Sequence, residues 1–526
     1  MMQMNVRHNN QIKYPILFIA LGMIIFFWLT MLLKNPLAEH IANGTGQELV
    51  HKFKNEYDVL ILGTSVSCFN ICCQEIYDKY GIQTVCIGAA QQPVFLSYYT
   101  LVDALSDQEP EVVILDTKSL YYDSKWIMQF INNDGLVHYS VDGMKLPTRV
   151  KAVNEMKEYG GDQDVWDYYS VWYRCHDNWK NLKKTNFDGY DRNANINGNS
   201  ALFGIGENII YRYNTEPEEP IPEDGVKWFQ MISELCRERG IRLIAATDYI
   251  ASTAKQAEAI ALLCQAQGVE YININEHLPE IGFDLHLDCN DNAHFNLNGA
   301  LKWSDYVGKY LSETCGFEDH RSEKGLAARE YKEGAAILAL QKETMEEKTR
   351  IVLANNFEEY LDALNTLNCN NNLIAISVYD EATQSLTERE VEQLHRLGLE
   401  AELEGHYRSS YAAILLNGFI QEGFSEDELV KIEQNPELHS DVRYEVISSG
   451  LNAREQSMIL IDGNDYIQGG RGFNIVVYNT KFHQVVSSVV FDTFAEVNPN
   501  AKRRVAPEKD YWERQVSPNV WMIEEK

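Results

Sequence analysis

From residue 57 to about residue 315, short apolar runs alternate with longer segments in which apolar residues recur every three or four positions. The apolar runs predict buried strands at 57–63, 82–88, 111–116, 241–246 and 269–274. The segments with helical spacing predict helices at 65–80, 92–107, 222–240, 253–268 and 294–311. Continuous apolar strands alternating with amphipathic helices indicate a three-layer, doubly wound α/β domain whose parallel sheet is covered on both faces.

A long segment, residues 117–221, separates the third predicted strand from the helix at 222–240 and is rich in Tyr, Trp, Asn and Asp. Long irregular segments over the ligand-binding face of a sheet often act as lids or substrate walls. We therefore expect it either to cover a substrate, with His176 as a candidate substrate-binding residue, or to form a packed aromatic subdomain in which His176 is structural.

Beyond residue 318 the pattern changes twice. Residues 319–350 are charged with helical spacing and predict a linker helix. Residues 351–526 then predict a smaller mixed α/β domain, with strands at 373–378, 410–416, 445–447, 457–461, 473–478 and 485–491 and a helix at 387–397. The first α/β domain is accordingly assigned to residues 57–318.

The N-terminal segment from Pro15 to Leu33 carries no formal charge over about 19 residues, which at about 1.5 Å per residue nearly spans a hydrocarbon layer of roughly 30 Å. Arg7 and Lys13 favour a cytoplasmic N-terminus, and Lys34 on the other side weakens that bias. A cleaved signal peptide is the alternative, but its small-x-small cleavage site is poorly matched. The sequence thus predicts a cytoplasmic tail and transmembrane helix at 1–34, a polar stalk at 35–56, and the remaining chain outside the cell membrane.

Composition narrows the class of function. A chain of 526 residues needs more than one hydrophobic core, and its net charge of −31 argues against a nucleic-acid partner. The ten cysteines contain no Cys-x-x-Cys pair, which leaves disulfides or scattered buried thiols open. A metal site from His286, Asp288 and His294 is conceivable, but no second cluster supports it. Neither a metal nor a cofactor is expected.

Two short segments about 230 residues apart carry the candidate chemistry. The strand at 57–63 ends in Gly63-Thr-Ser65, and Asp291-Asn-Ala-His294 precedes the last predicted helix. A serine needs a neighbouring base, and that base needs a carboxylate to orient its ring, so Ser65, His294 and Asp291 are the candidate catalytic residues. The alternatives are that Ser65 only caps its helix, that His294 is a core histidine, and that Asp288 is the orienting carboxylate.

These segments resemble the SGNH/GDSL hydrolase superfamily. Gly63-Thr-Ser65 resembles the first block of that superfamily, Gly88 the second, and Asp291 to His294 the last. The resemblance implies an oxyanion hole built from the N–H groups of Ser65 and Gly88. The third block departs from the superfamily pattern, because the strand at 111–116 ends in Asp-Thr-Lys without the oxyanion Asn. Gln91 or Gln92 is the candidate for the missing donor; the alternative is that either is a surface residue at the start of a helix.

The membrane-anchored branch fits best, since the chain is similar to the D-alanyl-lipoteichoic acid transfer and alginate O-acetylation proteins over residues 55 to 315. That branch implies esterase or O-acyltransferase work on cell-envelope glycans. The expected partners are a glycan or acyl donor, a membrane O-acyltransferase, and membrane lipid contacted by the N-terminal helix.

Residues 349 to 500 resemble the interleukin-like epithelial–mesenchymal-transition inducer (ILEI) domain. The resemblance rests on the segments FEEYLDAL at 357–364, IAISVYDEAT at 374–383, RGFNIVVY at 471–478 and FDT at 491–493, although the Arg-Gly-Phe-Asn segment comes last here and first in the animal members. It implies glycan binding; a protein-contact or spacer module is the alternative. The whole chain is therefore predicted to be an extracytoplasmic serine esterase or acyltransferase, with a catalytically inactive glycan-binding or scaffold protein as the competing hypothesis.

Overall fold

The computed structural model describes residues 4–33, 44–161, 164–182, 195–206, 209, 211, 213, 220–354, 356–368, 371–434, 442–481, 483–494 and 503–504. The chain divides into two units. Unit 1 comprises Met1–Ser200, Arg212–Ile281 and Trp303–Gly334, and unit 2 comprises Ala201–Tyr211, Gly282–Lys302 and Ala335–Lys526. The beginning of the predicted stalk, residues 35–43, and most of the chain after residue 494 lie outside the described residues.

In chain order up to the second unit's sheet, the elements are α1 (Met4–Leu33), α2 (Gly44–Lys52), β1 (Val59–Leu62), α3 (Ser65–Asn70), α4 (Cys73–Tyr80), β2 (Thr84–Cys86), α5 (Val94–Ala104), β3 (Val112–Asp116), α6 (Ser124–Ile131), α7 (Asp134–Val141), α8 (Leu146–Glu158), α9 (Val165–Tyr169), α10 (Val171–Cys175), β4 (Asn195–Ile196), β5 (Asn199–Ser200), α11 (Glu223–Arg239), β6 (Arg242–Thr247), α12 (Ala254–Gln267), β7 (Glu270–Asn273), α13 (Leu278–Ile281), α14 (Leu297–Cys315) and α15 (Leu326–Leu353). Single 3-10 turns lie at Lys118–Tyr121, His176–Asn181, Ile274–Glu276 and His320–Ser322.

The sheet of unit 1 has the strand order β2-β1-β3-β6-β7, and all neighbouring strands are parallel. The three central strands align Leu60 with Val113 and Val113 with Leu243. β1 and β3 are buried along their whole length, which explains their uninterrupted apolar runs. The five predicted strands and their parallel arrangement are thus confirmed. The strand order reverses between β1 and β3, where α/β sheets bind ligands beyond the carboxyl ends of the strands.

The single helix predicted at 65–80 is wrong, because the chain breaks into α3 and α4 at Ile71 and Cys72. Side chains from distant segments satisfy the interrupted backbone: Ser304 accepts the Cys72 N–H at 2.7 Å, and Asn199 accepts the N–H of Cys73 at 2.9 Å. Because these acceptors come from elsewhere in unit 1, the continuous helical spacing of the sequence could not reveal the break.

The long segment at 117–221 is built from short helices where it is described, α6 to α10, followed by the β4–β5 hairpin. The side chains of Tyr122 and Trp126 stack with ring centroids 3.6 Å apart, and Tyr168 is buried. His176 lies on the surface, and its Nδ1 is 2.6 Å from the carbonyl oxygen of Tyr173. The aromatic richness of the segment thus serves packing in part.

Helix α1 begins at Met4 and exposes large apolar side chains such as Phe18 and Phe27. Within the residues that the structure describes, no helix has both the length and the hydropathy needed to cross a membrane. The transmembrane helix predicted at Pro15–Leu33 is therefore not supported. Residues 44–52 form α2, whose Leu49 and Val50 are buried in unit 1.

Unit 2 contains α16 (Phe357–Leu367), β8 (Asn372–Asp380), α17 (Glu388–Arg396), β9 (Ser410–Leu416), β10 (Phe419–Ser425), β11 (Val430–Glu433), β12 (Tyr444–Gly450), β13 (Met458–Ile461), β14 (Asn464–Asp465), β15 (Gly472–Asn479), β16 (Gln484–Phe491) and β17 (Arg503–Arg504). These strands form one mixed sheet, in which β8 pairs with β12 in parallel and with β9 and β15 antiparallel. Phe357, Ile376 and Phe473 belong to the core on one side of β8, and Ala375 and Ile459 to the core on the other. A separate mixed α/β unit is therefore confirmed.

Candidate functional site

The turn after β1 brings Gly63, Thr64 and Ser65 to the carboxyl end of the sheet. Gly63 has φ of 145°, a backbone conformation that favours glycine, and an added Cβ would lie 2.4 Å from the Cβ of Asp116. Only glycine therefore fits between β1 and the end of β3.

Ser65 is the first residue of α3 and is 7% exposed. The N-cap of this helix is Thr64, whose hydroxyl accepts the N–H of Val66 at 3.2 Å. The capping role considered for Ser65 is thus filled by Thr64. Because α3 has only six residues, its dipole contributes less to stabilising an oxyanion than the longer helix predicted from the sequence would have done.

Gly88 packs directly against the serine turn, since an added Cβ would lie 2.4 Å from Oγ of Ser67 and 2.8 Å from the carbonyl oxygen of Gly63. Burial would raise the pKa of the Cys86 thiol, but hydrogen bonding with Cys68, Gly88 and Ser67 outweighs it and leaves that pKa below its ordinary value. The oxyanion role of Gly88 stays a prediction.

The two glutamines after β2 differ in what their amides do. Gln92 is fully buried and donates Nε2 to Oγ of Ser97 at 2.9 Å. Gln91 has the left-handed φ of 53°, and its buried Oε1 has no hydrogen-bond partner within the described residues. Oε1 of Gln92 likewise lacks a partner within the described residues, so the difference lies in the donor: the amide nitrogen of Gln92 is engaged by Ser97, which leaves Gln91 the better candidate for an additional donor.

Two buried carboxyl groups follow the neighbouring strands β3 and β6. Asp116 ends β3 and accepts hydrogen bonds from Thr64 and the Lys118 N–H, whereas both carboxyl oxygens of Asp248, directly after β6, lack a partner in the described part of the chain. Burial and the Asp116 carboxylate raise the pKa of Asp248 well above its ordinary value. Sequence reasoning missed Asp248, although its place at the end of a predicted strand was a usable signal.

In unit 2, Asp291 and His294 form a closed local pair. The carboxylate oxygens of Asp291 lie 2.9 and 3.0 Å from Nδ1 of His294, and Oδ1 also accepts the backbone N–H groups of Ala293 and His294. Partial withdrawal from water would raise the pKa of Asp291, but the charge and hydrogen bonds of His294 hold that pKa well below its ordinary value. Asp291 is thus an anion that orients the imidazole and leaves proton transfer to Nε2.

Asp288, the alternative orienting carboxylate, has different partners. It is 1% exposed and accepts Nζ of Lys302 at 2.6 Å and the N–H of Asp284 at 2.6 Å. No hydrogen bond joins its carboxylate to His294 in the described structure. Asp288 therefore secures the loop to α14, and Asp291 is the residue that contacts the imidazole.

Asn296 and Gly299, which follow His294, have structural roles. Asn296 is buried, accepts the N–H groups of Asn298 and Gly299, and donates Nδ2 to the carbonyl oxygen of Leu287 at 2.8 Å. A Cβ on Gly299 would lie 2.2 Å from the carbonyl oxygen of Asp288. The Asn and Gly of this motif thus hold the loop against the start of α14.

The structure brings Asp291 and His294 together, and it places Gly88 and Asp116 against the serine turn. Ser65 belongs to unit 1 and the Asp291–His294 pair to unit 2, so the meeting of hydroxyl and imidazole stays a prediction.

No protein-family model matches the chain, and comparison with curated proteins found no similar sequence. The resemblances to the SGNH/GDSL superfamily and to the ILEI domain therefore also stay predictions.

Proposed function

We propose that the chain is a serine esterase or O-acyltransferase of the SGNH type that acts on cell-envelope or exported glycans through an acyl-enzyme. The observation that carries this proposal is the Asp291–His294 pair, with its carboxylate held 2.9 Å from Nδ1. A neutral imidazole oriented in this way is a general base for a serine hydroxyl. The position of Ser65 at the strand-order reversal supports its role as the nucleophile.

In the proposed reaction, Oγ of Ser65 attacks the acyl carbonyl while Nε2 of His294 accepts its proton. The tetrahedral intermediate collapses as His294 returns the proton to the leaving alcohol, and the acyl group stays on Ser65. Water or a sugar hydroxyl then attacks the acyl-enzyme, with His294 again serving as base. The N–H groups of Ser65 and Gly88 and the amide of Gln91 are the proposed oxyanion donors.

The parallel sheet with the order β2-β1-β3-β6-β7 supports a three-layer, doubly wound, flavodoxin-like domain as the scaffold. Unit 2 is proposed to be an ILEI-like glycan-binding module. Two of the segments that carry that resemblance contact each other, because Arg471 donates to both carboxylate oxygens of Asp492 at 3.0 and 2.9 Å. An outer-surface location and a membrane O-acyltransferase partner belong to the same proposal.

The central experiment is labelling with a fluorophosphonate, which phosphonylates an activated serine with loss of fluoride. We expect one label on Ser65, and hydrolysis of p-nitrophenyl acetate that Ser65→Ala abolishes. Asp291→Asn should lower kcat by about four orders of magnitude, because an Asn amide does not hold the imidazole in the tautomer that presents Nε2 as the base. Ser124→Ala, an exposed serine of unit 1, is the matched control and should behave as wild type.

A catalytically inactive binding or scaffold protein is the second candidate. It is favoured by the missing oxyanion Asn after β3. Absence of fluorophosphonate labelling on a folded wild-type chain would decide for this candidate.

A further inference from the structure

Thr64, the residue before the proposed nucleophile, has its backbone and side-chain polar atoms engaged. Its N–H and its hydroxyl both donate to Oδ2 of Asp116, at 2.9 and 2.6 Å. Its carbonyl oxygen accepts the Ser67 hydroxyl at 2.8 Å and the Cys68 thiol at 3.3 Å. Ser65 therefore follows a residue whose orientation the surrounding groups determine.

Asp116 is well suited to hold this turn. It is 1% exposed, its other oxygen accepts the Lys118 N–H at 2.8 Å, and its side chain occupies the space that a Cβ on Gly63 would need. Hydrogen bonds to a buried carboxylate are among the stronger ones in proteins. The carboxylate thus links the ends of β1 and β3 through the residue that precedes Ser65.

We infer that Asp116 is a positioning residue for the Ser65 nucleophile, acting through Thr64. This inference rests on the proposed function, since it assigns a role to Asp116 only if Ser65 reacts. It also provides a reason for the carboxylate at the end of β3, where the SGNH/GDSL superfamily has its third block with the oxyanion Asn.

Asp248 offers a matched comparison because it follows the adjacent strand and is equally buried, 1% exposed. Its carboxyl group makes no hydrogen bond to the serine turn within the described residues. Substitution of either aspartate by Asn removes one buried acid from the same edge of the sheet. Only at Asp116 does that substitution replace one of two accepting oxygens, which take the donors of Thr64 and the Lys118 N–H, by an N–H₂ donor.

The test is the fluorophosphonate reaction at Ser65, with the inactivation rate constant and the inhibition constant measured separately for each variant. Asp116→Asn should lower the rate constant roughly ten- to a hundredfold, because its single amide oxygen cannot accept from both Thr64 and the Lys118 N–H, so that the turn shifts, and small misplacements of a nucleophile are costly. Thr64→Val should give a smaller loss, and Thr64→Ser, which keeps the hydroxyl, should stay within about threefold of wild type. Asp248→Asn should also stay within about threefold.

The inhibition constant should change little in all four variants. The hydrogen bonds between Asp116 and Thr64 position the attacking hydroxyl of Ser65, which affects bond formation and not the initial binding of the probe. Wild-type labelling together with an unchanged rate constant in Asp116→Asn would overturn the inference and leave the proposed function standing. A smaller labelled fraction at an unchanged rate constant would mean that Asp116 only supports folding, which also overturns it. An unlabelled wild type would remove the proposed function and this inference together.

Discussion

The ion pair between Lys302 and the buried Asp288, next to the His294 loop, allows a quantitative test of how that loop is held. Asp288 is 1% exposed, and Lys302, whose side chain is 37% exposed, places Nζ 2.6 Å from Oδ2 of Asp288 and 2.9 Å from the carbonyl oxygen of Gly282. Lys302→Met keeps most of the side-chain volume but leaves the Asp288 carboxylate with the Asp284 N–H as its remaining partner.

Breaking a fully buried ion pair costs about 3–5 kcal/mol. Because Lys302 is more than a third exposed, water compensates part of that loss, and we expect Lys302→Met to lower the free energy of unfolding by about 1.5–3 kcal/mol. Asp288→Asn should cost less, about 1 kcal/mol, because the ammonium group can reach water. In the double variant the uncompensated charge disappears, so a coupling energy of about 1–2 kcal/mol is expected.

The pH dependence provides an independent check. Burial raises the pKa of Asp288 above its ordinary value of 3.8, and Lys302 opposes that rise. Without Lys302 the folded state holds the Asp288 proton more firmly than the unfolded state does. Since the pKa of Asp288 is already raised in the folded wild type and is raised further without Lys302, the stability deficit of Lys302→Met relative to wild type must grow as the pH rises from the wild-type pKa through the higher pKa of the variant, and it should be smaller at pH 4.5 than at pH 7.

Urea unfolding followed by near-ultraviolet circular dichroism measures both effects in the full chain. A deficit under about 0.5 kcal/mol at pH 7, or one that is larger at pH 4.5 than at pH 7, would refute this account of the loop.

Three further outcomes are expected. Gly299→Ala should lower the free energy of unfolding by about 1–3 kcal/mol in urea, because its Cβ would lie 2.2 Å from a backbone oxygen; an unchanged midpoint would contradict this. The pKa of His51 is raised, first by its hydrogen bond to Asp103, so its stabilisation is present below pH 6.5 and lost as the pH rises through the raised pKa. His51→Gln should therefore lower the free energy of unfolding at pH 6 and match wild type at pH 9. An equal loss of stability at both pH values would argue against this role of His51. Tyr360→Phe should cost about 1 kcal/mol, since its hydroxyl bonds the buried Ser487 at 2.9 Å; Ser487→Ala and the double variant should then show coupling.

Local patterns predicted the α/β fold well. The five apolar runs became the five parallel strands of unit 1, and the strand at 410–416 of unit 2 matches β9. Glycine also predicted helix ends correctly. Gly240 and Gly268 take left-handed conformations at the C-terminal ends of α11 and α12. These features depend on neighbours along the chain, which a single sequence contains.

The continuous helix at 65–80 was wrong because Ser304 and Asn199 stabilise a break that nothing within residues 65–80 encodes. Strand β10 was missed because it is only partly buried and lacks a continuous apolar run, and β11 because its alternation of buried and exposed residues extends over only four positions. The partner of the Asp288 carboxylate, Lys302, lies 14 residues away along the chain, so it could not be assigned from spacing alone.

The Asp291–His294 pair shows what the sequence alone determined. The base lies three positions after the carboxylate, and the carboxylate accepts the backbone N–H groups of Ala293 and His294, so the pair forms within one turn. The tertiary structure decided that Asp116 would hold Thr64, a partner 52 residues away, because only the pairing of β1 beside β3 brings the ends of those strands together. Contacts within a turn follow from chain geometry, whereas contacts between strands depend on which strands become neighbours when the whole core is buried.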